Sequence, residues 1–362
     1  MEEFYVVALT LDTFKYAVPL TYFMLAASTT LQYAQTVKEY LQNKKLLHAE
    51  YLPVKELGFM YFPMNKKVKI PHAEVVEAKI TFPQKIKPFT IEQVLAKKLT
   101  PHELTLIPRT QEIVGDILII EIPPELKQKE HLIAEAYLQV TKHIQTVVKK
   151  EYMHTGEFRT RKVRILAGKL TKETIHHESG VKLKLHVEKT YFSSRSGHER
   201  LRLAQQVKKG ELILVMFSGV GPYPLVLARN TEAKKIYGIE LNPFAHYYAV
   251  QNVELNNLSS KVIIMEGDVR TLIPKLKQTF DRIIMPLPKT GEEFLPVAFS
   301  KAKRGTIIHL YSFLPETEIV KYARHLREKC KQLGHPVRLL RNVKCGQFSP
   351  GTFRVCFDMK ML

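Results

Sequence analysis

Residues 211–242, ELILVMFSGVGPYPLVLARNTEAKKIYGIELN, decide how the chain folds. The stretch opens with an apolar run, 212–217, of the length and β-branched content of a strand buried on both faces of a parallel sheet. Ser218-Gly219-Val220-Gly221-Pro222 follows, then a helical pattern carrying Leu225, Val226 and Ala228. A second apolar run, 236–239, ends on Glu240. This reads as a β-α-β unit with a glycine turn after its first strand and an acid closing its second. The acid stands about 20 residues past the first glycine, the spacing that brings a carboxylate to a ribose diol in nucleotide-binding α/β folds.

Pro224 occupies the place of the third glycine in the dinucleotide fingerprint, so the loop is not built for close approach to a pyrophosphate. Gly219 and Gly221 still let the backbone pass a ligand with no Cβ in the way. A nucleoside without phosphates, held by its ribose and a short zwitterionic tail, suits such a turn, and S-adenosylmethionine fits that description. The bland alternative is a tight strand-to-helix turn that binds nothing. The acid at the right distance weighs toward the nucleoside.

Working outward, the 362 residues exceed one compact core, and two or three domains are expected. Lys and Arg number 55 against 35 Asp and Glu, a formal +20. A polyanion partner explains that excess, since each neutralised phosphate releases counterions. A lysine-rich surface kept for solubility is the competing explanation. Cys330, Cys345 and Cys356 are scattered and odd in number, with no metal-ligand spacing and no sign of an oxidising compartment. The apolar segment 17–27 is too short to span a bilayer and follows acids rather than a basic flank. A cytoplasmic protein without a membrane or metal is the expectation.

In order along the chain, a short helix with Ala34, Val37 and Leu41 precedes the strand GFMYFP, and MNKKVKIPH reads as a basic link closing a domain at residue 72. TFPQKIKPFT leads into a middle domain, 85–190. There IVGDILIIEIP reads as one strand, followed by a helix with Ile133, Ala136, Tyr137, Val140, Ile144 and Val147 on one face. Residues 158–172 hold six Arg and Lys and no acid, suited either to a sugar-phosphate backbone or to a charge-protected edge strand. The last domain, 191–362, adds strands at 262–265, 282–287 and 306–311, and its final two strands, 337–343 and 353–359, should pair antiparallel. Parallel strands with helices, closed by an antiparallel hairpin, is the order of a class I, Rossmann-like methyltransferase domain. Gly219 would then face the methionine end, Glu240 the ribose and Asp268 the adenine amino group, though Asp268 alone also reads as a helix cap.

The stretches VKEYLQNKKLL, LIPRTQEIVGDILIIEIP, GEFRTRKVRILAG, YFSSRSGHERLRLA, MFSGVGPYPL, IELNPFAHYYAVQNVELNN, EGDVR and IIMPLPKTGEEFL resemble the archaeal and eukaryotic type of tRNA (guanine-37) N1-methyltransferase. The resemblance implies two smaller α+β domains that recognise the tRNA body and anticodon stem-loop, ahead of a catalytic α/β domain, in a monomer. It implies a cofactor site of Phe217, Gly219, Val220, Gly221, Pro222, Glu240, Leu241, Asn242, Asp268, Val269 and Pro286. N1 of guanine carries a proton, so methyl transfer needs a base near N1 and positive charge near O6. Glu199 in HERLR matches the family's general base, and its alternative is a helix-start carboxylate. Arg159 and Arg161 in FRTR are the candidates for the O6 contact, or for a phosphate. Many relatives carry Asn-Leu-Pro where this chain has Pro286-Leu287-Pro288, and Pro286 offers only a carbonyl. Lys289 and Glu292 are the candidate nucleotide contacts of that loop. The competing functions are a wybutosine-pathway transferase, moving an aminocarboxypropyl group or methylating a tricyclic guanine, and a non-catalytic RNA-binding protein.

Overall fold

The computed structural model describes residues 24–85, 89–109, 111–151, 156 and 158–362, and the chain divides into two compact units, Met1–Phe89 and Thr90–Leu362. Most of the apolar segment 17–27 lies outside the described residues. The first unit contains β1 (Met24–Thr30), α1 (Ala34–Asn43), β2 (Val54–Glu56), β3 (Phe59–Pro63) and β4 (Glu74–Ala78). Its strands form an antiparallel sheet in the order β2-β3-β1-β4. Val37 and Leu41, one turn apart on α1, are fully buried with Phe62, Met64 and Ile70. Because β4 pairs with β1, the basic stretch MNKKVKIPH lies inside this unit rather than after it.

The second unit begins with α2 (Ile91–Leu95) and α3 (Pro101–Thr105), each opened by a capping box, Thr90 with Gln93 and Thr100 with Glu103. Next come β5 (Gln111–Val114), β6 (Ile117–Ile120), α4 (Glu130–Val140), β7 (Thr146–Lys150) and β8 (Val163–Gly168), whose sheet order is β5-β6-β7-β8. Two expectations are corrected here. The apolar run IVGDILII is a hairpin rather than one strand, since Gly115 takes φ +57° at the first central position of a two-residue turn. A Cβ at Gly115 would meet the Ile175 carbonyl oxygen at 2.6 Å, so the turn is also a packing point. The helix stops at Val140, and Val147 belongs to β7, where β-branched Thr146, Val147 and Val148 pair in parallel with β6.

A second hairpin, β9 (Glu173–Glu178) with β10 (Val181–His186), leads into the last segment. That segment runs α5 (Gly197–Ala204), β11 (Leu212–Met216), α6 (Pro222–Asn230), β12 (Lys235–Glu240), α7 (Pro243–Leu255), β13 (Val262–Glu266), α8 (Val269–Leu272), β14 (Phe280–Met285), α9 (Leu295–Phe299), β15 (Ala302–Pro315), α10 (Ile319–Gln332), β16 (Val337–Ser349) and β17 (Thr352–Met361). The seven strands lie in the order β13-β12-β11-β14-β15-β17-β16. The first five are parallel and the last two antiparallel, which is the expected Rossmann-like sheet closed by a hairpin. The order reverses between β11 and β14, and ligands of open α/β sheets bind in the crevice beyond the carboxyl ends at such a point.

The middle segment and the sheet share one core. Val114, Ile117, Val148, Leu183 and Leu185 pack in the same buried cluster as Ile213, Val215, Leu225 and Ile236. A polar seam completes the join. Asn252 on α7 and Asn256 at its C-cap, one turn apart, use their side-chain amides as a surrogate strand along β10. Asn252 accepts from Lys184 N–H at 2.7 Å and donates to its carbonyl at 2.9 Å, and Asn256 treats Lys182 the same way at 2.8 and 2.7 Å. Asn252 also donates to the Val220 carbonyl of the glycine turn at 3.0 Å. Replacing Asn252 with Ala strands these buried groups and should cost about 3 kcal/mol. A lowered denaturant midpoint in Asn252→Ala checks this, and an unchanged midpoint would deny the seam its role.

Candidate active site

A cavity of about 360 Å³ opens at the carboxyl edge, over the crevice between β11 and β14. Its wall takes in Phe217 and Gly219 after β11, Glu240, Leu241 and Asn242 after β12, Asp268 and Val269 after β13, and Pro286 after β14. Of the residues expected to bind the cofactor, Val220, Gly221 and Pro222 are not on this wall. They are buried, and Gly221 faces Leu225 and Ala249, where an added Cβ would sit 3.1 Å from the Leu225 side chain. Their part is to turn the chain from strand into α6. Phe217 itself adopts φ +59°, unusual for a side-chain-bearing residue and found where a loop is held tightly.

Two backbone amides pin the acid at the end of β12. Gly219 N–H donates to Glu240 Oε2 at 2.7 Å and Asn242 N–H to Oε1 at 2.9 Å. Burial pushes the Glu240 carboxyl up, against the pull of these amides. Asn242 caps α7 by accepting from Phe244 N–H at 3.0 Å. Asp268 does two jobs: it caps α8 through Arg270 N–H at 2.7 Å, and it grips the Arg270 guanidinium, which holds its carboxyl below the usual range. The cap reading and the cavity reading of Asp268 therefore coexist. Phe217 and Phe294 meet edge-to-face, centroids 4.9 Å apart, on an apolar wall. An apolar slot with one amide-fixed carboxylate and a glycine turn fits a nucleoside with a short polar tail. Phe294, Arg270 and Tyr191 also line it. They lie in stretches that carry the resemblance, but their residue types alone do not single them out: Arg270 stands in α8, Phe294 closes a short 3-10 turn and Tyr191 precedes α5.

The two arginines of FRTR part company. Arg159 lines the cavity, its guanidinium 4.6 Å from the centroid of the Tyr191 ring. Arg161 is buried and bidentate to Glu112, at 2.6 and 3.0 Å, with its Nε on the Val187 carbonyl. The basic stretch is in large part internally neutralised: Arg164 pairs with Glu130 and Glu151, and Lys172 with Glu188. Lys289 lines the cavity, whereas Glu292 turns away to α10 and accepts from Tyr322, Lys329 and His325.

Glu199 sits in the first turn of α5 and is not on the cavity wall. It is buried, with Arg202 bidentate on it at 2.6 and 2.7 Å and Tyr311 O–H on Oε1 at 2.5 Å. These contacts use three of the roughly four lone-pair positions of a carboxylate, so Oε2 keeps one. Leu310 pairs with Met285, which sets Tyr311 level with Pro286 on the neighbouring strand. Behind Glu199 runs a buried chain: Arg202 to Asp358 at 2.8 Å, Asp358 to His309 at 2.6 Å, His309 to Arg282 at 2.7 Å, and Arg282 to Glu211 at 2.8 Å. Arginine only donates, so His309 Nε2 accepts and Nδ1–H points at Asp358. Burial holds His309 below its usual range, consistent with this neutral form. His309, Cys356 and Asp358 lie close enough to hold an ion, but Arg202, Arg282 and Arg341 crowd them, and that charge suits a paired network rather than a cation.

The comparisons with known proteins agree with this architecture. Residues 174–339 match the TRM5/TYW2 methyltransferase domain and residues 91–171 the TYW2 N-terminal domain. The chain is 35% identical over 341 residues to the tRNA (guanine(37)-N(1))-methyltransferase Trm5b of Pyrococcus abyssi, covering 93% of this chain and 99% of that one. It is 34% identical to the tRNA(Phe) (4-demethylwyosine(37)-C(7)) aminocarboxypropyltransferase of Pyrococcus horikoshii, over 77% of this chain and 98% of that one. It is 39% identical to the tRNA 4-demethylwyosine(37)-methyltransferase Taw21 of Saccharolobus solfataricus, over 56% of this chain and 76% of that one. Among solved structures, a complex of aTrm5 and tRNALeu superposes with TM-score 0.66 at 27% identity, covering 93% of this chain and all of that one. TYW2 of P. horikoshii in complex with MeSAdo superposes with TM-score 0.64 at 30% identity, over 75% of this chain and 98% of that one.

The Glu292 cluster generates a pH prediction. Burial raises its carboxyl, but the bonds from Lys329, Tyr322 and His325 outweigh that and bring it down to about 2. Its contribution is therefore complete above the ordinary carboxylate range and lost as pH falls from about 4.5 toward 2. Discounted for partial solvent contact, it amounts to about 2 kcal/mol. Unfolding midpoints of wild type and Glu292→Gln should differ at pH 7 and converge near pH 2, and a gap independent of pH would count against the cluster.

Proposed function

Because this chain belongs to the TRM5/TYW2 methyltransferase family, an S-adenosylmethionine-dependent group of tRNA-modifying enzymes, we propose that it methylates N1 of guanine 37 in tRNA. We further propose that it works as a monomer in the cytoplasm. The carrying observation is that Arg159 of the middle segment lines the nucleoside-sized cavity, while Glu199, outside its wall, is bonded to Tyr311, which stands level with cavity-lining Pro286. The described residues include no helix long and apolar enough to cross a membrane.

When bound, S-adenosylmethionine supplies an electrophilic methyl carbon. The residues of this chain supply the rest. Glu240, fixed by two amides, would hold the ribose, and the Phe217–Phe294 wall with Val269 would take the adenine. Glu199 would take the N1 proton on the remaining lone pair of Oε2, converting N1 into a nucleophile. Arg202 and Tyr311 fix its orientation. Arg159 faces O6, where the negative charge of the deprotonated base gathers. Arg161, committed to Glu112, shapes the loop that carries Arg159. Lys289 neutralises a nearby phosphate.

One observation favours a second reading. Pro286 lines the cavity with no side-chain donor, so a tricyclic guanine, or transfer of the aminocarboxypropyl group, meets no amide obstacle there. Incubating unmodified tRNA transcripts, and in parallel tRNA carrying 4-demethylwyosine at position 37, with methyl-labelled and carboxyl-labelled cofactor separates the cases. Methyl label in 1-methylguanosine is expected, carboxyl label in the RNA identifies the aminocarboxypropyl transferase, and binding without either label identifies a silent RNA-binding protein. Glu199→Gln should slow methyl transfer by about 10²-fold or more with cofactor affinity nearly unchanged by calorimetry. A parallel loss of both would make Glu199 a scaffold residue.

A further inference from the structure

We propose that Phe348, backed by Phe313, is a stacking platform for the unpaired anticodon-loop base next to the target guanine. The inference rests on the tRNA reading above and extends it to a surface outside the cofactor cavity. Strand β14 ends at Met285, opposite Leu310. Strand β15 continues to Pro315, paired with Thr352 of β17. The hairpin side of the sheet therefore overhangs the carboxyl edge by about five residues, roughly 16 Å, and forms a wall beside the site.

Alternation along β15 puts Phe313 on the face of Tyr311, the face that holds Glu199. The Phe313 ring stacks on Phe348 with centroids 4.1 Å apart and planes 27° from parallel. Phe348 is nonetheless 56% exposed, so one face of its ring is supported and the rest is open. The step is anchored to the reacting end of the molecule, because Phe313 N–H donates to the Pro288 carbonyl at 3.3 Å, two residues past cavity-lining Pro286. A cation stands alongside: Arg354, paired across the sheet with Phe313, lies over the Tyr311 ring and donates to Ser196 Oγ. Its buried Nε has no partner among the described residues.

A rigid aromatic step flanked by a guanidinium is how unpaired bases are held without reading their sequence. Reaching N1 requires the target guanine to leave its stack, which exposes one face of its neighbour. Phe348 offers that neighbour a replacement face.

The chain has no tryptophan, so Phe348→Trp would carry a single tryptophan at the step, excited apart from the tyrosines. Titration of that variant with an unmodified tRNA transcript, without cofactor, should quench its emission as the complex forms. In filter binding, Phe348→Leu should weaken the transcript about tenfold and Phe348→Tyr should restore it, with cofactor affinity equal in all three. Binding of the transcript with unmoved tryptophan emission, or a leucine variant that binds like wild type, overturns the platform while leaving the methyl-transfer reading intact. Failure of the wild type to bind the transcript overturns both.

Discussion

The pairing of α7 with β10 is the constraint on which the site depends. Strand β10 stands in a two-stranded sheet, and one of its edges would otherwise present bare amides to a buried surface. Asn252 and Asn256 supply the missing partner from a helix, and Asn252 reaches on to the glycine turn. One side chain thus connects the middle segment, the helix after Glu240 and the loop at the end of β11. With the shared core beneath it, this seam makes 90–362 a single unit. Arg161 on Glu112 and Arg159 against the Tyr191 ring tie the described residues next to the cavity to this unit, the condition for a precise constellation.

The second constraint is electrostatic. From Glu211 to Glu199 the buried face of the sheet carries alternating acids and bases, with neutral His309 between Arg282 and Asp358. Networks of this kind add little net stability, because desolvation offsets most of the attraction, but removing one member leaves a buried charge alone. Their effect is geometric. Arg202 cannot leave Glu199 without also abandoning Asp358, so the orientation of the carboxylate is tied to strands on the far side of the sheet.

Much of this was legible in residues 211–242, where strand length, the glycine turn and the closing acid are local properties. What failed to show was set by contacts distant in sequence. IVGDILII satisfies a strand pattern on both sides of Gly115, and although Gly115-Asp116 is a local two-residue turn signal, the packing of Gly115 against Thr174 and Ile175 is what shows that the chain reverses there. The helical period of Ile133 to Tyr137 carries on by chance through Val147, although the pairing of Val147 with Leu118 claims it for a sheet. Arg159 and Arg161 share one motif and one charge. Glu112, at 49 positions' remove, takes Arg161 out of play, and no spacing rule could have said so. Asn252 and Asn256 read simply as polar helix residues, since their partners belong to another hairpin.

The surplus of positive charge follows the same logic. Half of the basic stretch 158–172 is consumed internally, by Glu112, Glu130, Glu151 and Glu188. At the opposite, amino edge of the sheet, Lys208, Arg304, Arg338 and Lys360 ring a cleft and pair with no acid among the described residues. Cations on the side of the sheet away from the cofactor cannot position a base there. They can raise the potential over the whole surface, which speeds encounter with a polyanion and fades with added salt. Under the proposed function, the formal +20 acts as a long-range attraction, with orientation at the site left to a few groups: the guanidiniums of Arg159 and Arg270, Lys289, and carboxylates held by amides and arginines.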